Sequence, residues 1–434
     1  MNLKRNLPLQ ILLALILGGG AGLLWPRGHV LPGGFEPYAL FDFLGALFLR
    51  ALRMVIVPLI TGSIISGVAS AGSGRGLGRL FTRTFTWYIT TSLLAILTGL
   101  ILVNLIRPGI PGGVPVGPEL GLTLQDPQMA AQLQQGSASD LVGIIQRMVP
   151  VNPVAAAAEG QMLPLIFFCL LFGIAVGSLS PEHRAAQLLF WESLFAVMMT
   201  ITGWVIMTAP LGIFGLMAKV TATSGFAAFL PLLKYGLTVL AALVFHATVT
   251  LPLLVRLVGR LPAGRHARIM APALLTAFST RSSSATLPLT MDRIENGAGV
   301  SNRVTSFVLP LGATINMDGT ALYECIAALF IAQAYGVSLG LGAQVVVVLT
   351  ALLASIGAAG IPAAGLVMIS IILDAVGLPL EGIALILAID PVLDMCRTAV
   401  NVWSDSCGAV VIAHNEGELG VLTDIVGNNH QDPA

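Results

Sequence analysis

The chain has 434 residues, with 21 basic and 21 acidic side chains and therefore a formal net charge of +0 at pH 7. Charged residues make up 10% of it, against roughly 25% in an ordinary soluble domain, and hydrophobic residues make up 56%. This composition excludes a disordered chain, which needs polarity and charge, and a nucleic-acid binder, which needs a positive field. It disfavours a soluble enzyme, whose surface carries more charge, and indicates a membrane protein.

Mostly apolar stretches approach the roughly 20 residues that a membrane-spanning helix needs. They lie near residues 7–25, 40–70, 84–106, 162–179, 187–218, 232–259, 305–335 and 380–413. The first follows Lys4 and Arg5 and lacks a small-residue cleavage site, so we interpret it as a retained helix rather than a signal peptide. The distribution of Lys and Arg predicts that both termini are cytoplasmic, in a multi-pass protein of the cell (inner) membrane.

Two further regions are too interrupted to span a membrane as single helices. Residues 267–291 form two short apolar halves around a polar tip at 279–284, and residues 345–373 break at 357–362. Apolar stretches of roughly 10–14 residues are typical of re-entrant segments. A kinked single helix is the alternative, but Arg281 and a run of serines would be costly against lipid. Interrupted segments in corresponding halves of a chain indicate a transporter binding site.

The last apolar stretch carries the most informative polar pattern, which consists of Asp390, Asp394, Arg397, Thr398, Asn401 and Asp405. The later five follow the first by 4, 7, 8, 11 and 15 residues, which places all six near one helical face. Each charge at the centre of a spanning helix costs roughly 2.5–3.5 kcal/mol. A buried ladder of ion pairs between two helices is one interpretation. Intramembrane charges favour a second interpretation, a functional site.

The preceding stretch carries a second polar group in the run GATINMDGTALYE. Gly312 and Gly319 are predicted to let the helix unwind and expose backbone carbonyls, which suit small hard cations. Asn316, Thr320 and Glu324 are spaced by four residues on one face. Glu324 is a lone carboxyl among apolar neighbours, where burial disfavours the charged form, as a proton carrier requires. The alternative is a carboxyl that is hydrogen-bonded to a helix neighbour.

Further polar residues give weaker signals. Tyr88, Thr91 and Ser92 share a helical face, although Ser and Thr often bond their own helix backbone. The serines at 282–284 lack a partnering His and a nucleophile elbow, so we interpret the tip as hydroxyls and amides that receive a carboxylate at a half-helix N-terminus. His246 fits a satisfied helix histidine better than a ligand. The four cysteines show no paired spacing, which indicates neither a disulfide framework nor a metal site.

Four motifs in order resemble those of the dicarboxylate/amino acid:cation symporter family, the glutamate transporter family. They are TRSSSATLP, NMDGTALYE, SIGAAGIPAAG and DMCRTAVNVWSD. The resemblance implies an all-α membrane protein with eight transmembrane helices plus two re-entrant helical hairpins, working as an elevator-type homotrimer. The implied scaffold comprises residues 1–79 (helices 1 and 2) and 111–230 (external loop, helices 4 and 5). The implied transport domain comprises residues 80–110 (helix 3), 231–260 (helix 6), 261–300 (hairpin 1), 301–336 (helix 7), 340–376 (hairpin 2) and 377–415 (helix 8), before a cytoplasmic tail at 416–434.

The resemblance also implies substrate contacts. Arg397 would pair with the side-chain carboxylate of the substrate, oriented by Asp390 behind it. Asp394 would hold the α-amino group. The α-carboxylate and the rest of the pocket would be contacted by Ser283, Thr398 and Asn401, with Thr320 and the backbone at Arg281, Ile361 and Gly365.

Co-transported sodium ions are implied at three places, and no organic cofactor is implied. The first would lie among Asn316, Asn401 and Asp405. The second would be held by Tyr88, Thr91, Ser92, Asn316 and Asp318. The third would use backbone carbonyls near Thr314, Ser355, Ile356 and Ala358, and the carbonyl exposed near Gly312 would join these cation ligands.

We therefore predict a secondary active symporter, not an enzyme, that carries L-aspartate or L-glutamate with sodium and with a proton on Glu324. Its partners would be that substrate, the ions and the lipid bilayer. Asp394 favours an amino acid over a C4-dicarboxylate, which has no ammonium group. A C4-dicarboxylate symporter and a proton-only glutamate symporter are the alternatives within this class, and an ion channel is the alternative from a different class. Glu324 resembles the eukaryotic members and Arg281 the archaeal ones, while Met395 stands where eukaryotic members carry a second Arg.

Overall fold

The computed structural model describes residues 7–71, 77–118, 149–159, 161–224, 229–357, 364–387 and 389–422. Helices account for most of them, and within these ranges β-type pairing is limited to an isolated bridge between Leu31 and Phe35. The all-α prediction is therefore confirmed for the described residues. Among these, four helices are long and apolar enough to cross a membrane, namely Arg79–Ile106, Pro181–Val205, Leu230–Leu257 and Asn302–Ala334.

The first half of the chain contains α1 (Leu7–Leu24), α2 (Pro37–Ala71), α3 (Leu77–Ile106), α4 (Pro153–Ala158), α5 (Met162–Gly177), α6 (Pro181–Met207) and α7 (Ala209–Ser224). The second half contains α8 (Phe229–Phe245), α9 (Leu251–Leu257), α10 (Ala263–Thr280), α11 (Ser283–Asp292), α12 (Asn302–Ile315), α13 (Asp318–Ala334), α14 (Leu341–Gly357), α15 (Ala364–Ala375), α16 (Ile383–Leu387) and α17 (Asp390–Asn415). A π-helical turn, His246–Thr250, joins α8 to α9.

Two predicted spans differ from the helices that form. The stretch 187–218 is divided between α6 and α7, which meet at Thr208. Pro210, the second residue of α7, has no N–H to continue the bonding pattern of the preceding helix. The stretch 380–413 is also divided, since a 3-10 turn and the short α16 precede α17, which begins only at Asp390. The division of the chain into eight spans stays a prediction.

The first packed group consists of α1, α2, α5, α6 and α7, and we call it the α2 group. The 35-residue α2 packs along α5, α6 and α7, while α1 packs on α7. The helix α2 is long enough to contact both α6 and α7, which are consecutive in the chain. The group buries an apolar core with Val55, Leu59 and Ile60 of α2 at 2% exposure or less.

The second packed group surrounds α13, and we call it the α13 group. All 17 residues of α13 are buried, against α3, α8, α14, α15 and α17. A helix enclosed by other helices can carry polar side chains at membrane depth, because protein groups rather than lipid contact them. The polar residues of α13 and α17 therefore lie in the interior of this group.

The predicted breaks at 279–284 and 357–362 coincide with helix ends. After α10, Arg281 adopts a left-handed conformation with φ 53°, and the Ser282 side chain accepts a hydrogen bond from the N–H of Ala285 to cap α11. The two helices pack on each other and on α17. The second break separates α14 from α15, and its residues 358–363 lie outside the described residues. That both pairs are re-entrant in the membrane stays a prediction.

Candidate functional site

The polar site begins where the chain leaves α12 and enters α13. Asn316 and Met317 have non-helical backbone angles, and α13 starts again at Asp318. The unwinding predicted in this run therefore occurs, but Gly312 and Gly319 both lie inside helices, so the predicted cause of the unwinding is wrong. A Cβ on Gly312 would lie 2.5 Å from Oδ1 of Asp405, and one on Gly319 would lie 2.7 Å from the Arg397 carbonyl oxygen. These glycines allow α17 to approach closely.

The break brings polar side chains of three segments together in what we call the Asp318 cluster, which comprises Thr91, Ser92, Asn316, Asp318, Ser404 and Asp405. Oδ1 of Asp318 accepts hydrogen bonds from Ser92 Oγ at 2.7 Å and from Thr91 Oγ1 at 3.2 Å. Oδ2 of Asp318 accepts one from Ser404 Oγ at 2.6 Å. Residues that the sequence places on α3, α13 and α17 therefore meet at one carboxylate.

Asn316 links this carboxylate to a second one. Its Nδ2 donates to Oδ1 of Asp405 at 2.9 Å and to Ser404 Oγ at 3.1 Å. Its Oδ1 lies 3.5 Å from Thr91 Oγ1 and 3.4 Å from Ser92 Oγ. The amide thus presents its oxygen to the side of the cluster where the hydroxyls of α3 lie.

The cluster concentrates negative charge in the interior. Asp318 is 0% exposed and Asp405 is 3% exposed. Within the described ranges, no Lys or Arg side chain forms an ion pair with either carboxylate, whereas the imidazole Nε2 of His246 lies 3.1 Å from Oδ2 of Asp318. Buried charges are paired or coordinate metals, and carboxylate, amide and hydroxyl oxygens are the ligands of small hard cations. The arrangement is chemically suited to a sodium ion.

A second site lies further toward the start of α17, and we call it the Arg397 pocket; it comprises Tyr323, Gly365, Asp390, Asp394 and Arg397. Nη2 of Arg397 is 2.8 Å from Oδ1 of Asp394 and 3.1 Å from Oδ1 of Asp390. Its guanidinium lies 3.8 Å from the ring centroid of Tyr323, whose hydroxyl donates to Oδ1 of Asp390 at 2.7 Å. Aromatic and carboxylate neighbours therefore fix the guanidinium on two sides.

Two nitrogens of Arg397 have no partner in the described part of the chain. The side chain is 1% exposed, yet Nε and Nη1 have no hydrogen-bond partner in the part of the chain that the structure describes. Buried polar groups are normally satisfied, and guanidinium N–H groups match carboxylates in geometry. A Cβ on Gly365 would lie 2.7 Å from Nη1, so the start of α15 borders this open position.

Three side chains that are predicted to contact the substrate, those of Thr320, Thr398 and Asn401, form hydrogen bonds around the pocket. Oδ1 of Asn401 accepts a hydrogen bond from the Gly319 N–H at 2.8 Å, and its Nδ2 donates to Thr320 Oγ1 at 3.1 Å. Thr398 Oγ1 donates to the carbonyl oxygen of Asp394 at 2.8 Å. These side chains lie between the Arg397 pocket and the Asp318 cluster, so the two sites are adjacent on one face of α17.

The tip of the α10–α11 pair belongs to the same region. Both helices of the pair pack on α17, and Ser283, the first residue of α11, is buried. Of the contacts predicted in the second tip, Gly365 borders Arg397, whereas Ile361 and Ala358 lie outside the described residues.

Glu324 lies one residue after Tyr323 on the fully buried α13. Both of its carboxyl oxygens are buried, and neither has a hydrogen-bond partner among the described residues. An ionised carboxylate in such a place is costly unless it is paired. The neutral, protonated form of this carboxyl avoids that cost.

The remaining predicted cation ligands are spread along α3, α12 and α14. The Tyr88 hydroxyl donates to the carbonyl oxygen of Val308 at 2.6 Å. The hydroxyls of Thr314 and Ser355 bond their own helices, at Leu311 and Leu352. Because α12 packs on α14, these last two residues belong to neighbouring helices, and Ile356 lies beside Ser355 on α14.

Three residues of the site carry no role in the sequence interpretation: His246, Tyr323 and Ser404. Ser404 follows Asp390 by 14 residues and so shares the helical face of the polar stripe. The helical period could therefore have identified it. Tyr323 stands beside Glu324 in the polar run of α13. For His246, 72 residues before Asp318, no spacing rule connects the two positions.

Comparisons with a family profile and with individual proteins agree with each other. The sequence profile of the sodium:dicarboxylate symporter family matches residues 7–415. The proton/glutamate-aspartate symporter of Escherichia coli strain K12 is 36% identical over 95% of this chain and 93% of its own length. The proton/sodium-glutamate symport protein of Geobacillus stearothermophilus is 33% identical over 96% of both chains. Excitatory amino acid transporter 3 of Mus musculus is 37% identical over 93% of this chain and 84% of its own.

Proposed function

Because the chain belongs to the sodium:dicarboxylate symporter family, a family of membrane transporters and not of enzymes, we propose that it takes up L-aspartate or L-glutamate together with sodium and a proton. The observation that carries this proposal is Arg397, a fully buried guanidinium with two nitrogens that lack partners among the described residues. A substrate with a side-chain carboxylate would satisfy them. The names of the three relatives, which mention glutamate, aspartate or amino acids, support the same substrate class.

The substrate's two ends find complementary groups in the Arg397 pocket. Its side-chain carboxylate pairs with Arg397, which Asp390 orients through the contact at 3.1 Å. Its α-amino group binds the carboxylate of Asp394. Its α-carboxylate lies near the N-terminus of α11, at Ser283, where helix N–H groups favour an anion, and near Thr398 and Asn401.

Sodium occupies the Asp318 cluster in this proposal. One ion is held by oxygens of Thr91, Ser92, Asn316 and Asp318, near Tyr88. Another lies toward Asp405, Asn316 and Asn401. A third uses carbonyls of α12 and α14, near Thr314 and Ser355. Asn316 contacts the carboxylate of Asp405 directly and contacts Ser92, whose hydroxyl bonds Asp318. The first two positions therefore share Asn316 as a ligand, which couples their occupancy.

Glu324 carries the proton. Its buried carboxyl, which has no partner among the described residues, lies on the same helix as Thr320 and Asp318, so protonation and sodium binding act on one structural element. The proton named in two of the relatives supports this coupling.

Transport requires that the site face each side of the membrane in turn, and we propose that the α13 group moves against the α2 group in a homotrimer. A cavity of about 300 Å³ lies between the α2 group and α12, a helix that packs on α17 of the α13 group. Its lining includes Ser63 and Ser66 of α2, Glu192 of α6 and Thr314 of α12. Open space at this boundary supports relative movement of the two groups, since close packing resists displacement.

Uptake of radiolabelled L-aspartate and L-glutamate into proteoliposomes, with sodium and proton gradients imposed separately, tests the coupling. The proposal expects uptake that requires the inward sodium gradient and increases with an inward proton gradient. Uptake driven by protons alone would show that the Asp318 cluster does not bind sodium. Strong competition by succinate would favour a C4-dicarboxylate as the substrate, because succinate has no ammonium group for Asp394.

A further inference from the structure

His246 is a buried side chain to which the proposed function gives no role. It is 0% exposed, at the start of the π-helical turn between α8 and α9. Its Nε2 lies 3.1 Å from Oδ2 of Asp318, which is also 0% exposed. A carboxylate only accepts hydrogen bonds, so Nε2 carries the hydrogen and the imidazole donates to Asp318.

The π-helical turn fixes this histidine relative to α17. Trp403 on α17 donates its Nε1–H to the carbonyl oxygen of Ala247 at 3.0 Å, within that turn. π-Helical turns are rare and occur frequently at functional sites. The turn and the tryptophan together hold His246 against the break between α12 and α13.

The two oxygens of Asp318 have different kinds of partner. Oδ2 is bonded by the imidazole N–H of His246 and by Ser404 Oγ. Oδ1 is bonded by the hydroxyls of Thr91 and Ser92. A hydroxyl can rotate and offer a lone pair to a cation, whereas the Nε2–H of this imidazole has no such freedom. Oδ1 is therefore the oxygen that a cation can reach.

We propose that His246 is a positioning residue for the cation site. By holding Oδ2 of Asp318, it keeps Oδ1 turned toward the hydroxyls of Thr91 and Ser92 and toward the amide oxygen of Asn316. The inference rests on the proposed sodium coupling and assigns a residue outside the coordinating set. Loss of an outer hydrogen bond to a metal ligand typically lowers metal affinity 10- to 100-fold.

Three histidine variants and the sodium dependence of L-aspartate uptake test this role. His246→Leu keeps bulk and removes the donor, so the half-saturating sodium concentration should rise about 10-fold or more, with maximal uptake recovered at high sodium. His246→Gln places an amide N–H near the position of Nε2 and should restore sodium affinity to within about threefold of the unaltered protein. His266→Leu is the matched control.

His266 is a suitable control because it is equally buried but bonds a hydroxyl, Ser406 Oγ at 3.1 Å, and stacks on the ring of Trp403. Its replacement removes no bond to Asp318, so it should lower thermal stability and shift the half-saturating sodium concentration far less than His246→Leu, even though it loses a contact with Trp403. Size-exclusion elution and thermal unfolding establish that each variant is folded. If His246→Leu does not fold, His246→Asn replaces it, since the shorter amide cannot reach Asp318.

The outcomes separate this inference from the proposed function. Sodium-dependent uptake by the unaltered protein, with an unshifted sodium dependence in folded His246→Leu, overturns the positioning role alone. A shift in His246→Gln as large as that in His246→Leu also overturns it, because the donor would then not matter. Sodium-independent uptake by the unaltered protein contradicts the coupling proposal, and the positioning role with it.

Discussion

Nη2 of Arg397 lies 2.8 Å from Oδ1 of Asp394, which precedes it by one helical turn on α17. Both side chains are buried. The pair places one positive and one negative group side by side, and the guanidinium still has two nitrogens without partners within the described residues. An acidic amino acid, with an ammonium group and an additional carboxylate, is the complement of this pair.

Replacing Arg397 by Lys tests the guanidinium as a carboxylate receptor. Lys keeps the charge but loses the planar set of donors that contacts Asp390, Asp394 and the substrate at once. Truncating one partner of a buried charge pair costs about 2–5 kcal/mol, so the half-saturating L-aspartate concentration should rise at least about 30-fold. Arg268→Lys, at an exposed position of α10, is the control and should transport normally.

Asp394→Asn tests the assignment of the α-amino group. The amide preserves the size of the side chain but removes the negative charge that pairs with the substrate ammonium, so L-aspartate uptake should be lost. Asp292→Asn, which alters an acidic side chain outside the pocket paired with Arg293, should leave uptake unchanged. Normal uptake by folded Asp394→Asn would show that another group binds the amino end.

Gly365→Ala tests the space beside Arg397. The added Cβ would lie 2.7 Å from Nη1, so the guanidinium or the start of α15 must shift. Overpacking of this kind costs about 1–3 kcal/mol, which corresponds to roughly a 5- to 150-fold increase in the half-saturating substrate concentration. Gly203→Ala on α6, where nothing lies within 4 Å of the added atom, should have no effect. Equal behaviour of the two variants would place the substrate elsewhere.

Glu324→Gln tests the proton carrier. The amide mimics the protonated carboxyl and cannot release a proton, so an inward proton gradient should no longer stimulate uptake while the sodium gradient still does. Uptake at several external pH values, with a constant sodium gradient, provides the measurement. A variant that retains the proton stimulation of the unaltered protein would assign the proton to a different group.

An ion-pair network at the end of α17 predicts a pH dependence of stability. The Glu416 carboxylate contacts Arg79 at 3.1 Å, Arg83 at 2.7 Å and Arg303 at 3.4 Å. The hydrogen bonds from Arg79 are the main cause that lowers the pKa of Glu416 below its ordinary value. A group with a depressed folded pKa stabilises the protein above its unfolded pKa, and this contribution is lost as the pH falls through the folded pKa.

Glu416→Gln should therefore unfold at a lower temperature than the unaltered protein near neutral pH. The difference should shrink as the pH falls into the acidic range, because protonated Glu416 has lost its charge as well. Thermal unfolding of both proteins in detergent at several pH values measures this. A difference that does not change with pH would show that packing, rather than charge, joins Glu416 to its neighbours.

Local patterns account for the parts of the candidate site that the sequence predicts to lie together. The polar stripe of α17 follows the helical period, and its charges are too costly for lipid, so spacing alone makes Asp394, Arg397 and Asn401 candidates. A helix begins directly after the polar tip, as expected, and Ser282 caps it. In each case the relevant information lies within a few consecutive turns of one segment.

Long-range geometry accounts for what could not be predicted. Gly312 and Gly319 make room for α17, which a sequence cannot distinguish from glycines that loosen a helix. The contact between His246 and Asp318 joins distant helices and depends on a π-helical turn, for which the sequence gives no periodic signal.

The break at Thr208 within an apolar stretch has a local cause instead. It depends on the N–H that Pro210 lacks, and the high overall hydropathy of the stretch concealed this cue.

The proposed function depends most on one pairing, in which an acidic amino acid binds at Arg397 and is concentrated by the sodium gradient. Uptake of radiolabelled L-aspartate into proteoliposomes under an inward sodium gradient alone measures this without further assumptions about the proton. We expect saturable accumulation above the external concentration, which collapses when the sodium gradient is dissipated. Flux that does not saturate and never exceeds equilibrium would contradict the proposed symport and would indicate a channel.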